Sequence, residues 1–151
     1  MSEITSKKNI LLIGGGGYIG TSMMDDYSKN LKISKIHCID RLIYKSQKID
    51  KKIIRNRKIN FFKGDFRNRK LLNKALKGVS DVVILAGLVG DPITKKYKKL
   101  SENINYIGIK NLIKFLNKNK NLKKLIFIST CSNYGIVKNK LADENTKLLP
   151  K

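Results

Sequence analysis

The sequence predicts an α/β fold: one parallel sheet of about five strands, in the order 3-2-1-4-5, with helices on both faces. Three observations carry this expectation. Short apolar runs alternate with amphipathic stretches along the chain, the pattern of parallel strands joined by helical crossovers. The runs are continuously apolar, as in strands covered on both faces. Four successive glycines follow the first run and precede the first helix, where such folds turn tightly. Right-handed crossovers then give the strand order. Five strands are legible, one fewer than a complete two-half sheet of this kind has.

Residues 9–13, Asn-Ile-Leu-Leu-Ile, form the first strand, and the segment from Tyr18 to Lys29 reads as the first helix. Residues 35–40 are the second strand, ending on Asp40. From residue 42 to 57 the pattern is weak and basic, which predicts a loop with one short helix. Residues 59–62 are the third strand, closed by Gly64 and Asp65. Residues 67–77 place Leu71, Leu72, Ala75 and Leu76 on one helical face, and Gly78 ends that helix. Residues 81–86 are the fourth strand. Asp91-Pro92 breaks the chain. Ser101 is expected to cap a long helix to about Asn119, with Ile104, Ile107, Leu112, Ile113 and Leu116 on its apolar side. Residues 125–129 are the fifth strand, and the chain beyond Asn133 is loop-like.

The whole chain, residues 1–151, reads as one domain without repeats or linkers. No apolar run approaches the ~20 residues that span a bilayer, and the polar start is unlike a secretory signal. Cys38 and Cys131 are far apart, and the lone His37 lies inside a strand; no metal site is expected. These features predict a cytoplasmic protein with no membrane partner. The formal net charge is +22, with 28 lysines and five arginines. The cations are scattered, with clusters at residues 51–58, 95–99 and 118–124. Specific nucleic-acid binders concentrate arginine and aromatics in a stripe, so compositional bias accounts better for this charge. A basic nucleic-acid-binding protein stays as an alternative, and nonspecific polyanion binding at low salt is expected either way.

The glycine turn carries the chemistry. Gly14-x-x-Gly17-x-x-Gly20 follows strand one and opens helix one; Gly15-x-Gly17-x-x-Gly20 fits equally. In either register one glycine permits the turn, one admits the cofactor's pyrophosphate, and one lets helix and strand pack closely. The helix N-terminus, with Tyr18 and Ile19, then offers free N–H groups to the phosphates. Asp40 ends strand two, 20 residues beyond Gly20, placed for the ribose hydroxyls of NAD. Its charge disfavours the extra phosphate of NADP, which Arg41 would partly offset. These features read together as a dinucleotide-binding Rossmann unit.

At this point the sequence resembles the NAD-dependent epimerase/dehydratases, extended short-chain dehydrogenase/reductases that act on nucleotide sugars. The turn Gly14-Gly15-Gly16-Gly17-Tyr18-Ile19-Gly20 is similar to the family's GGxGYIG loop. Gly64-Asp65, followed by Phe66, resembles the element whose aspartate approaches the adenine. Leu85-Ala86-Gly87 is similar to the element at the end of strand four that lines the cofactor. Asn105-x-x-Gly108 resembles the family's helix motif, where the asparagine orients the site through a backbone bond. Ser129-Thr130-Cys131-Ser132-Asn133-Tyr134-Gly135 is close to the strand-five motif. Ile84 and Ile13 stand where the family often has histidine and threonine.

The resemblance implies NAD as cofactor and Thr130 as a catalytic hydroxyl. It also implies a Tyr-x-x-x-Lys pair, in which tyrosine moves the substrate's proton and lysine lowers its pKa. Three stretches spell this string: Tyr44/Lys48, Tyr106/Lys110 and Tyr134/Lys138. About one match is expected by chance in so lysine-rich a chain, and none falls at the family's position. The expectation is therefore the NAD-binding part of a nucleotide-sugar epimerase or dehydratase, C-terminally truncated. Its later strands and substrate domain are absent, and it is inactive alone. A nucleotide-sugar partner is expected only once the fold is completed. The alternative is a non-catalytic NAD-binding regulatory module, and the resemblance also allows a homodimer. Cys131 is expected to be a small filler and His37 structural.

Overall fold

A computed structural model describes residues 7–44, 49–137 and 141–149. Five parallel strands form a single sheet in the order β3-β2-β1-β4-β5. They are β1 (Lys8–Ile13), β2 (Ile33–Asp40), β3 (Ile59–Lys63), β4 (Asp81–Ile84) and β5 (Lys124–Phe127). This is the expected order. Leu11 pairs with His37 of β2 on one side and Val82 of β4 on the other. β1 is therefore the central strand, and its Leu11, Leu12 and Ile13 are wholly buried.

Successive residues of β1 face opposite layers. Ile10 and Leu12 pack with Met24 of α1 (Tyr18–Lys29) and with Ile53 of α2 (Lys51–Arg55). Leu11 and Ile13 pack with Leu72 and Ala75 of α3 (Arg69–Ala75), and with Leu112 and Leu116 farther along the chain. Both layers need apolar residues, which is why the strand reads as an unbroken apolar run. Asp50 caps α2 by accepting from the Lys52 N–H, and Asn68 caps α3 by accepting from Lys70 and Leu71. That cap starts α3 two residues later than expected. Gly78, at φ +73°, turns the chain towards β4.

Two helical expectations are corrected. Pro92 does not merely break the chain; it lies in the first turn of α4 (Asp91–Lys96), where proline's missing N–H costs nothing. Ser101 is not a cap. Its backbone is already helical, at φ −58° and ψ −48°, and its N–H bonds to the Tyr97 carbonyl. The helix starts at α5 (Lys98–Ser101), widens into a π segment (Glu102–Gly108) and continues as α6 (Ile109–Leu116). Strands four and five stop two residues earlier than expected, because after Ile84 and Phe127 the chain leaves the ladder to line a cleft. A short 3-10 turn (Cys131–Tyr134), not foreseen, follows β5.

Candidate functional site

The carboxyl ends of the strands enclose a cleft of about 760 Å³, where parallel α/β sheets present their ligand sites. The glycine turn forms one wall. Gly14, at φ +83°, leaves no room for a side chain: a Cβ there would lie 2.5 Å from the Ala86 backbone. A Cβ on Gly20 would lie 2.4 Å from the Gly15 backbone, so the helix sits directly on the turn. A Cβ on Gly15 would press on the Cys38 Sγ at 2.7 Å. The two registers read from the sequence therefore merge, since packing demands both Gly14 and Gly15. Gly17 differs: its nearest neighbour would be the Gly14 carbonyl at 3.9 Å, so the space beside it is open. Gly17 is also the N-cap of α1, and no side chain caps that end. The first-turn N–H groups are left without a side-chain partner, as at anion-binding helix ends.

Asp40 reaches this turn directly. Its Oδ2 accepts from the Gly16 N–H at 2.8 Å, and its Oδ1 accepts from the Leu42 N–H at 2.6 Å. Each carboxylate oxygen keeps a further acceptor site, so the group can still receive hydroxyl protons. Leu42 is held at φ +53°, a rare conformation for a leucine. Farther along, Asp65 is gripped by Arg67, whose Nε reaches Oδ1 at 2.9 Å and whose Nη2 reaches Oδ2 at 2.7 Å. The Arg67 N–H also donates to Oδ1, at 2.9 Å. Arg41 makes a single, longer contact with Asp65, at 3.3 Å. Burial pushes the Asp65 carboxyl up. The Arg67 hydrogen bonds and the charges of Arg67 and Arg41 outweigh it and hold the group below the usual carboxylate range.

The third wall is the chain leaving β4. Ala86, Gly87, Leu88 and Val89 line the cleft, with Phe66 beside them. Asn105 stands behind this wall. Its Oδ1 accepts from the Leu88 N–H at 2.8 Å, and its Nδ2 donates to the Leu88 carbonyl at 2.8 Å. Asn105 lies in the π segment, and such wide turns often aim a side chain at a site. Gly108 leaves space for its neighbours: a Cβ there would lie 3.2 Å from Phe66 and from Arg67.

Ile128, Ser129 and Thr130 close the cleft. Thr130 caps the 3-10 turn, its Oγ1 accepting from the Ser132 N–H and donating to the Ser132 Oγ, both at 3.2 Å. Gly14, Gly17, Tyr18, Ile19, Gly20, Asp40, Arg41, Asp65, Phe66, Ala86, Gly87 and Thr130 thus meet in one cleft, and Asn105 supports it from behind. Sequence reasoning did not single out Arg67 for its grip on Asp65, nor Ile43 on the second-strand side of the cleft, where Tyr44 of the Tyr44/Lys48 string also lies. The Asp-x-Arg spacing was the available signal for Arg67.

Of the tyrosine–lysine strings, Tyr106/Lys110 lies outside the cleft, with the ammonium 5.5 Å from an exposed ring. Lys48 and Lys138 lie outside the described residues. Cys131 is exposed rather than a filler, while Cys38 is buried. Burial, then the charge of Asp40, pushes the Cys38 thiol far up. His37 is structural: Nδ1 meets the Ala75 carbonyl at 2.5 Å and the ring packs edge-on against Phe62. Among the described residues, no three His, Cys, Asp or Glu side chains gather as a metal site would require, and no helix is long and apolar enough to cross a membrane.

The sequence profile of the NAD dependent epimerase/dehydratase family matches residues 10–151. A UDP-glucose 4-epimerase of Rickettsia bellii is 32% identical over 126 residues, covering 82% of this chain and 36% of the relative. The crystal structure of dTDP-glucose 4,6-dehydratase from Bacillus anthracis, in complex with NAD, superposes with a TM-score of 0.79 at 29% identity, covering 95% of this chain and 44% of that one. UDP-N-acetylglucosamine 4-epimerase from Methanobrevibacter ruminantium gives a TM-score of 0.80 at 28% identity, covering 96% and 45%. The chain thus spans between 36% and 45% of the length of these relatives.

Proposed function

The chain belongs to the NAD dependent epimerase/dehydratase family, and from that premise we propose that its cleft holds NAD as the cofactor-binding part of a nucleotide-sugar epimerase or dehydratase. One observation carries the reading: the uncapped N-terminus of α1, the open space at Gly17 and the Asp40 carboxylate converge on one cleft. The N–H groups of the first turn bind the pyrophosphate. Asp40 accepts the hydroxyl protons of the adenosine ribose, with its rotamer fixed by Gly16 and Leu42. Asp65 and Phe66 border the adenine end. Arg41 is engaged with Asp65 and so is not poised for a ribose phosphate, which favours NAD over NADP. When bound, the nicotinamide supplies the hydride chemistry. Thr130 orients the substrate oxygen at the other end of the cleft.

Calorimetry of residues 1–151 with NAD and NADP tests this. The expected result is saturable NAD binding at least tenfold tighter than NADP. Equal affinity would remove Asp40 from the ribose role, and no binding of either would remove the reading. Turnover is a separate matter, since no complete Tyr-x-x-x-Lys pair lines the cleft among the described residues. We expect this chain alone to convert neither UDP-glucose nor dTDP-glucose, and coupled assays with both would show otherwise. The same observation favours a second reading, a non-catalytic NAD-binding role. Supplying the C-terminal half of a relative distinguishes the two, since only the first predicts activity in that mixture.

A further inference from the structure

Ten of the cations that are scattered along the sequence are gathered at one end of the sheet. All five strands are parallel, so they begin at one end of the sheet, and the helix-to-strand connections lie at that end, opposite the cleft. The α1–β2 connection carries Lys32, and the α2–β3 connection Arg57 and Lys58. The α3–β4 connection carries Lys77, and the last, before β5, carries Lys118, Lys120 and Lys123. All seven are exposed except the half-buried Lys58, and these four connections hold no acidic residue. Exposed Lys8, Lys35 and Lys124 on the adjoining strand starts extend the face. The acidic groups nearby do not offset it: Asp81 is buried under Lys8 at 3.2 Å and Asp25 is paired with Lys29 at 2.6 Å, leaving Asp26. Helix dipoles account for cations in a last helical turn, such as Lys29 and Lys74. They do not account for cations placed in the connections or on the strand starts. The cleft end is mixed, with Asp40, Asp65 and Asp50 set among its arginines.

We propose that this end of the sheet is a docking face for an anionic lipid bilayer. Two features favour a bilayer over a nucleic acid. The face is built almost wholly of lysines, whose point charges suit a diffuse anionic surface. The arginine forks and stacking aromatics of nucleic-acid readers are missing from these connections, apart from Arg57. In addition, Leu31 stands between Asn30 and Lys32 with 81% of its surface exposed. An apolar side chain among lysines gains by entering the headgroup boundary and has no partner on a phosphate backbone. Docked this way, the cleft faces away from the bilayer and stays open to solution. Such a contact departs from the expectation of no membrane partner; it is peripheral and needs no spanning helix.

The test is sedimentation of the full chain with phosphatidylcholine vesicles, with and without about 30 mol% phosphatidylglycerol, at about 150 mM salt. Binding only to the anionic vesicles, released by raised salt, is expected. The triple variant Lys118→Glu, Lys120→Glu, Lys123→Glu should lose at least tenfold in affinity. A control of equal net charge, Lys95→Glu, Lys96→Glu, Lys99→Glu, should lose less than threefold. Leu31→Ser should weaken vesicle binding severalfold and leave binding to duplex DNA unchanged. Equal losses from the two triple variants would reduce the effect to net charge and overturn the proposal. So would tighter binding to a short DNA duplex than to the anionic vesicles at the same salt.

Discussion

Gly17 and Gly20 lie three residues apart in one turn and are glycine for different reasons. A Cβ on Gly20 would overlap the Gly15 backbone, whereas one on Gly17 would meet nothing nearer than 3.9 Å. Gly20→Ala is therefore expected to destabilise the fold by about 1–3 kcal/mol, the usual cost of overpacking, and to abolish NAD binding with it. Gly17→Ala should leave stability within about 0.5 kcal/mol while weakening NAD at least tenfold. Thermal melts beside calorimetry separate the two effects; a destabilised Gly17→Ala protein would contradict the assignment of that space to ligand. Asp65 gives a pH-dependent counterpart. Its folded pKa lies below the unfolded value, so its stabilisation is complete above the unfolded pKa and is lost as pH falls through the folded one. Arg67→Ala should cost about 1 kcal/mol at neutral pH, at the low end for a charged hydrogen bond because the pair is partly exposed. The gap between variant and wild-type melts should close at acidic pH below the folded pKa of Asp65.

At the scale of elements, the π segment and the loop leaving β4 act together. The loop has no regular structure of its own, and Asn105 supplies the two hydrogen bonds that a strand partner would have given Leu88. Asn105→Ala leaves the Leu88 N–H and carbonyl without those partners, at an expected cost of about 1–3 kcal/mol. Hydrogen exchange at the Leu88 amide should accelerate markedly, and NAD affinity should fall because Ala86 and Gly87 line the cleft. Asn105→Asp is not a rescue: a carboxylate accepts from the N–H but repels the carbonyl. Exchange at Leu88 unchanged in Asn105→Ala would show that the loop is held by other contacts.

Across the whole molecule, the core is centred on β1 and thins towards β5. Leu11 is fully buried at the middle of the sheet, whereas Ile126, Phe127 and Ile128 are each more than 40% exposed at its edge. Leu11→Ala is expected to cost about 2–5 kcal/mol, and Phe127→Ser about 1 kcal/mol, since only about half of its surface is buried. Chemical denaturation of the two variants measures both. A large loss from Phe127→Ser would mean that the edge is covered, and gel filtration of the same samples would then reveal self-association.

The sequence by itself determined the sheet, its strand order, the glycine turn and the cleft residues from Gly14 to Thr130. These depend on local period and turn chemistry, and such signals are written in consecutive residues. Tertiary structure alone decided the rest. Ser101 looked like a cap because serine commonly is one, but the helix already contained it, and helix starts depend on what precedes them in space. Arg67 read as a helix start until the fold placed Asp65 against its guanidinium. Ten basic residues looked scattered because they are distant along the chain; parallel strand topology brings those ten to one end. Even the glycine turn, the plainest motif of all, did not reveal which of its glycines packing demands and which stands beside open space. That distinction lies in the atoms opposite each glycine, contributed by β1, β2, the exit of β4 and the turn itself.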